Sequence, residues 1–204
     1  MGGAIFSEVG SNISINNSTF VSNSATDCRD VHCNGGALFI DSGSTVTAHN
    51  STFTNNTSEF SGGAISLFQG TYIDTENVLN YNKASNIGGV VFLRDSLFTD
   101  LDSTHCNNSA NNNGGVFTLK GGKMQVNASS FMNNTAKNSG GVLYTPVYWY
   151  KHHIRLERNV FQNNKAISGG VIAVFDNDFL MVAKCTFCSN SANKGGVIYL
   201  QVGK

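Results

Sequence analysis

The residues best suited to chemistry in this chain are four carboxylates that recur at one interval. Asp74 and Asp100 are 26 residues apart, and so are Glu76 and Asp102. If segments 26 residues apart stack on each other, the four groups lie close together. They would then repel one another unless water, protons or a cation compensates their charge. Calcium suits such a set, because it accepts several carboxylate and carbonyl oxygens in flexible geometry. Since no loop rich in Asp and Gly accompanies them, we favour a solvated acidic patch over a calcium site.

A second candidate is the aromatic stretch at positions 144–153. It contains Tyr148, Trp149 and Tyr150, together with the single Pro of the chain. Aromatic side chains on a protruding loop suit contacts with protein or sugar, because they combine a large apolar area with a polar group. We therefore predict that these three residues bind a ligand. The alternative is that their rings fold back and cover the neighbouring coil.

Both candidates interrupt a repeat that runs along the whole chain. Pairs of glycines recur every 26 to 33 residues, beginning at Gly2, Gly35, Gly62, Gly88, Gly114, Gly140, Gly169 and Gly195. Between them lies the unit F-x-x-N-x-A. Its first position is held by Phe20, Phe53, Leu79, His105, Phe131, Phe161 and Phe187. Three residues later every unit has asparagine, at Asn23, Asn56, Asn82, Asn108, Asn134, Asn164 and Asn190. A fixed period of this length indicates a solenoid.

The residues between the glycines favour strands over helices. They are short segments rich in Asn, Ser, Thr and Phe, and their apolar positions alternate with period two. Three short strands fit each unit of about 26 residues, as in one coil of a parallel β-helix. We predict an all-β, single-stranded solenoid of about seven coils in one domain, residues 1–204. Loop insertions are expected at 27–33 and 144–153.

Stacking of the coils explains the regular spacing without assigning it any chemistry. Coils about 4.8 Å apart would turn the Phe column into a ring stack and the Asn column into an amide ladder. We interpret both columns as structural. We interpret His105, the imidazole in the Phe column, as a histidine of the core or of a turn whose hydrogen bonds are satisfied, and not as a metal ligand or a catalytic base. The acidic pairs fall in a column that is otherwise apolar, so a register shift that buries Ile73 and Leu101 would turn them outward.

These motifs resemble those of a known family. The unit G-G-A-[I/L/V], present at Gly2–Ile5, Gly35–Leu38 and Gly62–Ile65, together with F-x-x-N, is the hallmark of the repeats of chlamydial polymorphic outer membrane proteins. Similar repeats occur in some eukaryotic surface proteins. The resemblance implies a right-handed β-helix passenger of the autotransporter type that acts in adhesion. It also implies an extracellular or cell-surface location, on the outer membrane in a bacterium, and a protein or glycan of a host or neighbouring cell as partner.

The charge balance argues against other kinds of partner. Lys and Arg total 13, and Asp and Glu also total 13, so no basic surface for nucleic acid is predicted. No apolar run approaches the roughly 20 residues that a membrane-spanning helix needs. We therefore expect attachment to a membrane only through parts absent from this chain. Because both ends fall inside a repeat, we expect a fragment of a longer protein.

Two covalent modifications are suggested by the sequence. Cys28 and Cys33 bracket the insertion in the first interval, and a disulfide between them would imply an oxidising compartment. N-x-[S/T] sequons begin at Asn12, Asn16, Asn17, Asn50, Asn55, Asn56, Asn107, Asn127 and Asn133. In a eukaryotic secreted protein these would accept glycans. Because several overlap the structural unit, we favour their origin in the Asn-rich repeat itself.

Three functions are compatible with the sequence. The regular coils and the resemblance favour a non-enzymatic surface module that mediates adhesion or presents binding loops. The first alternative is a carbohydrate-active enzyme of the pectate-lyase-like β-helix type, with Asp74, Asp100 and Arg94 as its candidate catalytic set. The turns beside these residues are short, so no cleft wall is expected there. The second alternative is a passive spacer. No cofactor is predicted apart from calcium at the acidic residues.

Overall fold

The computed structural model describes residues 2–26, 35–147, 151–175 and 179–201. The predicted disulfide between Cys28 and Cys33 lies outside these ranges, and so do Tyr148, Trp149 and Tyr150. Within them the chain contains strands and turns, and none of these residues belongs to a helix.

The described residues form 25 strands. The first twelve are β1 (Ile5–Ser7), β2 (Asn12–Asn16), β3 (Thr19–Val21), β4 (Ser24–Ala25), β5 (Leu38–Ile40), β6 (Thr45–His49), β7 (Thr52–Thr54), β8 (Thr57–Ser58), β9 (Ile65–Phe68), β10 (Thr71–Thr75), β11 (Val78–Asn80) and β12 (Lys83–Ala84). The next six are β13 (Val91–Leu101), β14 (Thr104–Cys106), β15 (Ser109–Ala110), β16 (Phe117–Asn127), β17 (Ser130–Met132) and β18 (Thr135–Ala136). The last seven are β19 (Leu143–Thr145), β20 (His152–Glu157), β21 (Val160–Gln162), β22 (Ile172–Phe175), β23 (Phe179–Ala183), β24 (Thr186–Cys188) and β25 (Ile198–Gln201).

Each strand pairs in parallel with the equivalent strand one coil away. One sheet runs β1-β5-β9-β13-β16-β19-β22-β25, and β2, β6, β10, β20 and β23 join it through the long strands β13 and β16. A second sheet stacks the seven strands β3-β7-β11-β14-β17-β21-β24, and a third stacks β4-β8-β12-β15-β18. The result is a parallel β-helix of about six turns, close to the seven predicted. The predicted fold class is confirmed.

The Gly-Gly pairs build the tightest corner of every coil. Gly114 has φ 67°, a conformation that costs little only without a Cβ. A Cβ on Gly115 would lie 2.1 Å from the carbonyl oxygen of Gly141 on the next coil. The second glycine is therefore required by close approach of the backbones, and the first by its dihedral angle.

Stacked apolar side chains fill the core. The rings of Phe20 and Phe53 are 4.7 Å apart, and Phe131 lies 4.9 Å from Phe161. Phe53, Phe131 and Phe161 are buried, as are the aliphatic residues that follow the glycine pairs of the inner coils, such as Leu67. Burial of such apolar area is the main force that holds the coils together.

The Asn column forms a continuous amide ladder beside this stack. Asn82 shows the pattern, because its Nδ2 donates to Asn108 Oδ1 at 3.2 Å and to the Phe53 carbonyl at 2.9 Å, while its Oδ1 accepts from Asn56 Nδ2 at 3.0 Å. The same side-chain bonds join Asn23, Asn56, Asn82, Asn108, Asn134, Asn164 and Asn190 in order. A fully bonded buried network of this kind fixes the register between coils.

Candidate functional site

The structure separates the four predicted metal ligands into two groups. Asp74 and Asp100 pair with each other across β10 and β13, and both are completely buried. Glu76 and Asp102 are exposed and lie in the turns after these strands, with φ values of 54° and 53°. The predicted calcium set is therefore not assembled, and a solvated patch is the wrong description of Asp74 and Asp100.

The register shift considered for this region is also wrong. Ile73 is 38% exposed and Leu101 is 36% exposed, so they point away from the core. On β10, Asp74 pairs with Ala48 of the preceding coil, and on β13 Asp100 pairs with Val126 of the following one. A shift of the strands by one residue would break the backbone hydrogen bonds to both neighbouring coils, so the observed register is the stable one. The carboxylates follow the strand alternation into the core.

Among the described residues, only one oxygen of the Asp74 carboxyl has hydrogen-bond partners. Its Oδ1 accepts hydrogen bonds from the Tyr72 hydroxyl at 2.9 Å and from Asn77 Nδ2 at 2.6 Å. Its Oδ2 is buried and has no hydrogen-bond partner among the described residues. Burial, followed by the charge of Asp100, raises the pKa of Asp74 to about 7, although His105 and the two donors act in the opposite direction. Ionisation of this group thus calls for a compensating positive charge.

The Asp100 carboxylate bridges two neighbouring elements. Its Oδ2 lies 2.6 Å from His105 Nε2, and its Oδ1 accepts a hydrogen bond from the Ser129 hydroxyl at 2.7 Å. The imidazole of His105 stacks on the Phe131 ring at 4.7 Å. Its other nitrogen, Nδ1, is buried without a hydrogen-bond partner in the described part of the chain. His105 is a core histidine, as expected, but only one of its two nitrogens is satisfied.

A second polar column, which the sequence reading missed, positions this cluster. It lies two residues before the Phe column and is occupied by Ser18, Ser51, Asn77, Ser103, Ser129 and Asn159. From Ser51 onward the side-chain oxygen accepts a backbone N–H from the preceding coil, as Asn77 Oδ1 does from Ser51 at 2.6 Å and Ser129 Oγ from Ser103 at 3.1 Å. Asn77 and Ser129 also donate to Asp74 and Asp100. The ladder thereby orients both carboxylates.

The enclosed position of this cluster limits its chemistry. One ligand atom each from Asp74, Asp100 and His105 lies within 4.8 Å of the others, so the three groups can act together on a small ion. A polysaccharide cannot reach the two carboxyls, because both are fully buried. Arg94, the third residue of the enzymatic alternative, is exposed and lies over the Phe68 ring at 4.9 Å. These residues do not form a glycosidase-type pair flanking a bound sugar.

A different candidate lies on the outside of the same sheet. We call it the outer face and define it by the outward side chains of β13, β16, β20 and β23 in three rows. The rows are Leu97–Lys123–His153–Phe179, Thr99–Gln125–Arg155–Met181 and Leu101–Asn127–Glu157–Ala183. Leu97 is 50% exposed and Phe179 is 58% exposed. The face therefore combines apolar, cationic and amide groups at the regular spacing of a sheet.

Two shallow depressions indent the outer face. One, of about 210 Å³, is lined by Lys123, Gln125, His153, Arg155 and Phe179, with Met124 and Ile154 at its base. The other, of about 220 Å³, lies beside Gln125, Asn127, Arg155 and Glu157. Arg155 and Glu157 form an ion pair at 2.8 Å. The predicted aromatic loop enters β20 at His152, so in the chain it directly precedes this face.

The fold and its motifs define a parallel β-helix whose coils are built from a Gly-Gly and F-x-x-N unit. The repeat of the Chlamydia polymorphic membrane protein family matches the chain at three places, residues 50–67, 128–146 and 184–201. Each match spans one aromatic position, its asparagine and the following glycine pair, so these stretches are similar to the repeats of that family and the predicted resemblance is confirmed. No curated protein and no solved structure matches the chain. The described residues include no helix that is long and apolar enough to cross a membrane.

Proposed function

We propose that the chain is a non-enzymatic surface module that mediates adhesion through its outer face. The partner is a protein or glycan on a host or neighbouring cell, and the location is extracellular or at the cell surface, on the outer membrane in a bacterium. The observation that carries this proposal is the outer face itself, where exposed apolar and cationic side chains lie side by side on successive coils. The family of the matched repeats supports the location.

The composition of the outer face suits recognition better than a passive role. Leu97 and Phe179 expose much of their apolar area, and clustered apolar side chains with polar neighbours are typical of binding surfaces. Lys123 and Arg155 supply cations beside them, while Gln125 supplies an amide. The backbone below is fixed by the ladders, so binding orders few groups and loses little conformational entropy.

Tyr148, Trp149 and Tyr150 form the second part of the proposed surface. They precede β20, whose residues His153 and Arg155 line the larger depression. Aromatic rings of this segment would offer a sugar or protein a large apolar area with polar groups. The proposal predicts that the loop and the outer face bind the same partner.

The test is a glycan and cell-surface binding screen on the intact chain. Leu97→Glu places a charge on the outer face, and Trp149→Ala removes the loop's largest ring. Val160→Glu is the matched control, because Val160 is 39% exposed on β21, in another sheet. Saturable binding that falls at least tenfold in Leu97→Glu and Trp149→Ala, but not in Val160→Glu, would support the proposal.

Other results would favour the alternatives. Release of reducing ends or unsaturated products from polysaccharides would identify an enzyme. Absence of binding to any surface would favour the passive spacer. An equal loss of binding in all three variants would show that the outer face has no special role. Circular dichroism of each variant must first show an intact β-helix.

A further inference from the structure

The buried cluster combines two carboxylates with a single imidazole in an apolar core. Asp74, Asp100 and His105 are each completely buried, and no Lys or Arg within the described ranges is buried with them. Charged groups in such surroundings are costly unless paired. With both carboxylates ionised, no buried cation of the described residues balances their charge.

Two polar atoms of the cluster also lack partners. Asp74 Oδ2 and His105 Nδ1 are buried with no hydrogen bond among the described residues. Most buried polar atoms in native proteins are bonded, and exceptions indicate an unseen water, ion or functional group. The unpartnered oxygen belongs to a carboxylate that lies with His105 and Asp100 in one group of ligand atoms no more than 4.8 Å apart.

The sequence departs from its own repeat at these same positions. Where Asp74 and Asp100 stand, the other coils have Ile15, Ala48, Val126, Leu156 and Val182. His105 is the single imidazole in a column of phenyl rings and one leucine. Three polar departures on two adjacent coils converge on one point of the core, although each alone would destabilise an apolar column. A common ligand would account for all three.

We propose that Asp74, Asp100 and His105 bind one divalent transition-metal ion, with Zn²⁺ as the best match to these donors. An ion of charge +2 neutralises both carboxylates while His105 stays neutral. Imidazole nitrogen together with carboxylate oxygen is a usual donor set for Zn²⁺. Calcium and magnesium are poorer matches, because they prefer six or more oxygen ligands. Three protein ligands leave one tetrahedral position for a water molecule.

The surroundings are arranged to hold the ligands in place. Tyr72 and Asn77 bond to Asp74 Oδ1 and leave Oδ2 available, while Ser129 bonds to Asp100 Oδ1. Such outer partners orient metal ligands and strengthen binding. Tetrahedral Zn²⁺ sets its donors about 3.4 Å apart, given bonds of about 2.1 Å. The 2.6 Å contact between His105 Nε2 and Asp100 Oδ2 would therefore widen by about 0.8 Å when the ion binds.

The ion would join two coils of the solenoid. Asp74 lies on β10, whereas Asp100 and His105 lie on β13 and β14 of the next coil. Binding to the folded chain alone stabilises it by mass action. The site is independent of the outer face, so failure of either proposal leaves the other standing.

The test is metal analysis of the intact chain, refolded with Zn²⁺, Co²⁺ or Ca²⁺ and freed of excess metal. The expected result is one Zn²⁺ or Co²⁺ per chain, no Ca²⁺, and visible Co²⁺ absorption of a tetrahedral site with nitrogen and oxygen ligands. The melting temperature should rise with Zn²⁺ and fall when a strong chelator is present during refolding.

Two kinds of variant make the test decisive. His105→Phe restores the residue of the aromatic column and Asp74→Asn removes a ligand charge; both should lose the metal, and His105→Phe should still fold. Glu76→Gln and Asp102→Asn are matched controls in the exposed turns and should keep it. A chain that folds equally well with and without metal and retains none would overturn the proposal. Equal metal content in folded His105→Phe would overturn it as well.

Discussion

Asn108 offers a direct test of the amide ladder, because its side chain takes part in four hydrogen bonds within the core. Its Oδ1 accepts from the backbone N–H of Asn82 at 2.9 Å and from Asn82 Nδ2 at 3.2 Å. Its Nδ2 donates to the Leu79 carbonyl at 2.8 Å and to Asn134 Oδ1 at 3.1 Å. Asn108→Ala removes all four bonds and admits no water, since the site is completely buried.

The expected cost follows from the groups that this substitution leaves behind. The backbone N–H of Asn82 loses its acceptor, the Leu79 carbonyl loses a donor, and one N–H of the Asn82 amide is left unpaired. Asn134 Oδ1 still accepts the backbone N–H of residue 108. Because each of these three orphaned buried groups costs about 1–3 kcal/mol, Asn108→Ala should lower the free energy of unfolding by about 3–9 kcal/mol.

Asn112→Ala is the matched control for this measurement. Asn112 also belongs to an amide row, bonded to Asn86 at 3.1 Å and to Asn138 at 2.5 Å, but it is only half-buried. Water can replace its partners, so its loss should cost less than about 1 kcal/mol. Urea unfolding followed by circular dichroism gives both values. Equal costs in the two variants would refute the claim that the buried ladder stabilises the coils.

Three further predictions address the corner, the ring stack and the sequons. Gly115→Ala should prevent folding or lower the melting temperature far more than Gly196→Ala, because a Cβ meets Gly141 O at 2.1 Å in the first case and only Asn190 O at 3.8 Å in the second. Similar melting curves would contradict this. Phe131→Ala, in the fully buried stack, should cost about 3–5 kcal/mol in urea unfolding, whereas exposed Val160→Ala should cost under about 0.5 kcal/mol. When the chain is secreted from eukaryotic cells, peptide mapping of the folded fraction should find no glycan on Asn56, because Asn56 is buried in the ladder, whereas the exposed Asn133 is accessible. A glycan on Asn56 in folded protein would disprove the position of the ladder.

The fold could be predicted because identical residue types recur where the coils stack. The glycine pairs, the Phe column and the Asn column each mark one position of the coil, and parallel pairing aligns them across the sheets. The second polar column escaped notice because serine and asparagine alternate in it irregularly. Ser51 and Asn77 differ in chemistry and length, yet both accept a backbone N–H from the coil before.

The acidic residues show where sequence reasoning failed. Charged side chains are usually exposed, so Asp74 and Asp100 were expected to reach solvent together with Glu76 and Asp102. Asp74 and Asp100 are buried instead, because they occupy inward positions of their strands. Pairing with the neighbouring strands fixes these positions. The left-handed backbone of Glu76 and Asp102, which separates them from the strand, has no clear signal in the residue types. The compensating contacts of Tyr72, Asn77 and Ser129 come from one strand, β10, and two corners, and they become visible only in three dimensions.

Site-directed photo-cross-linking on intact cells tests the proposed binding face most directly. A photoreactive residue at Gln125 lies in the middle of the outer face, and one at Gln162, which is also an exposed glutamine but lies on β21 in another sheet, is its control. The account predicts covalent adducts with a cell-surface protein or glycan from position 125 and none above background from position 162. Equal labelling at both positions, or labelling only at 162, would contradict it.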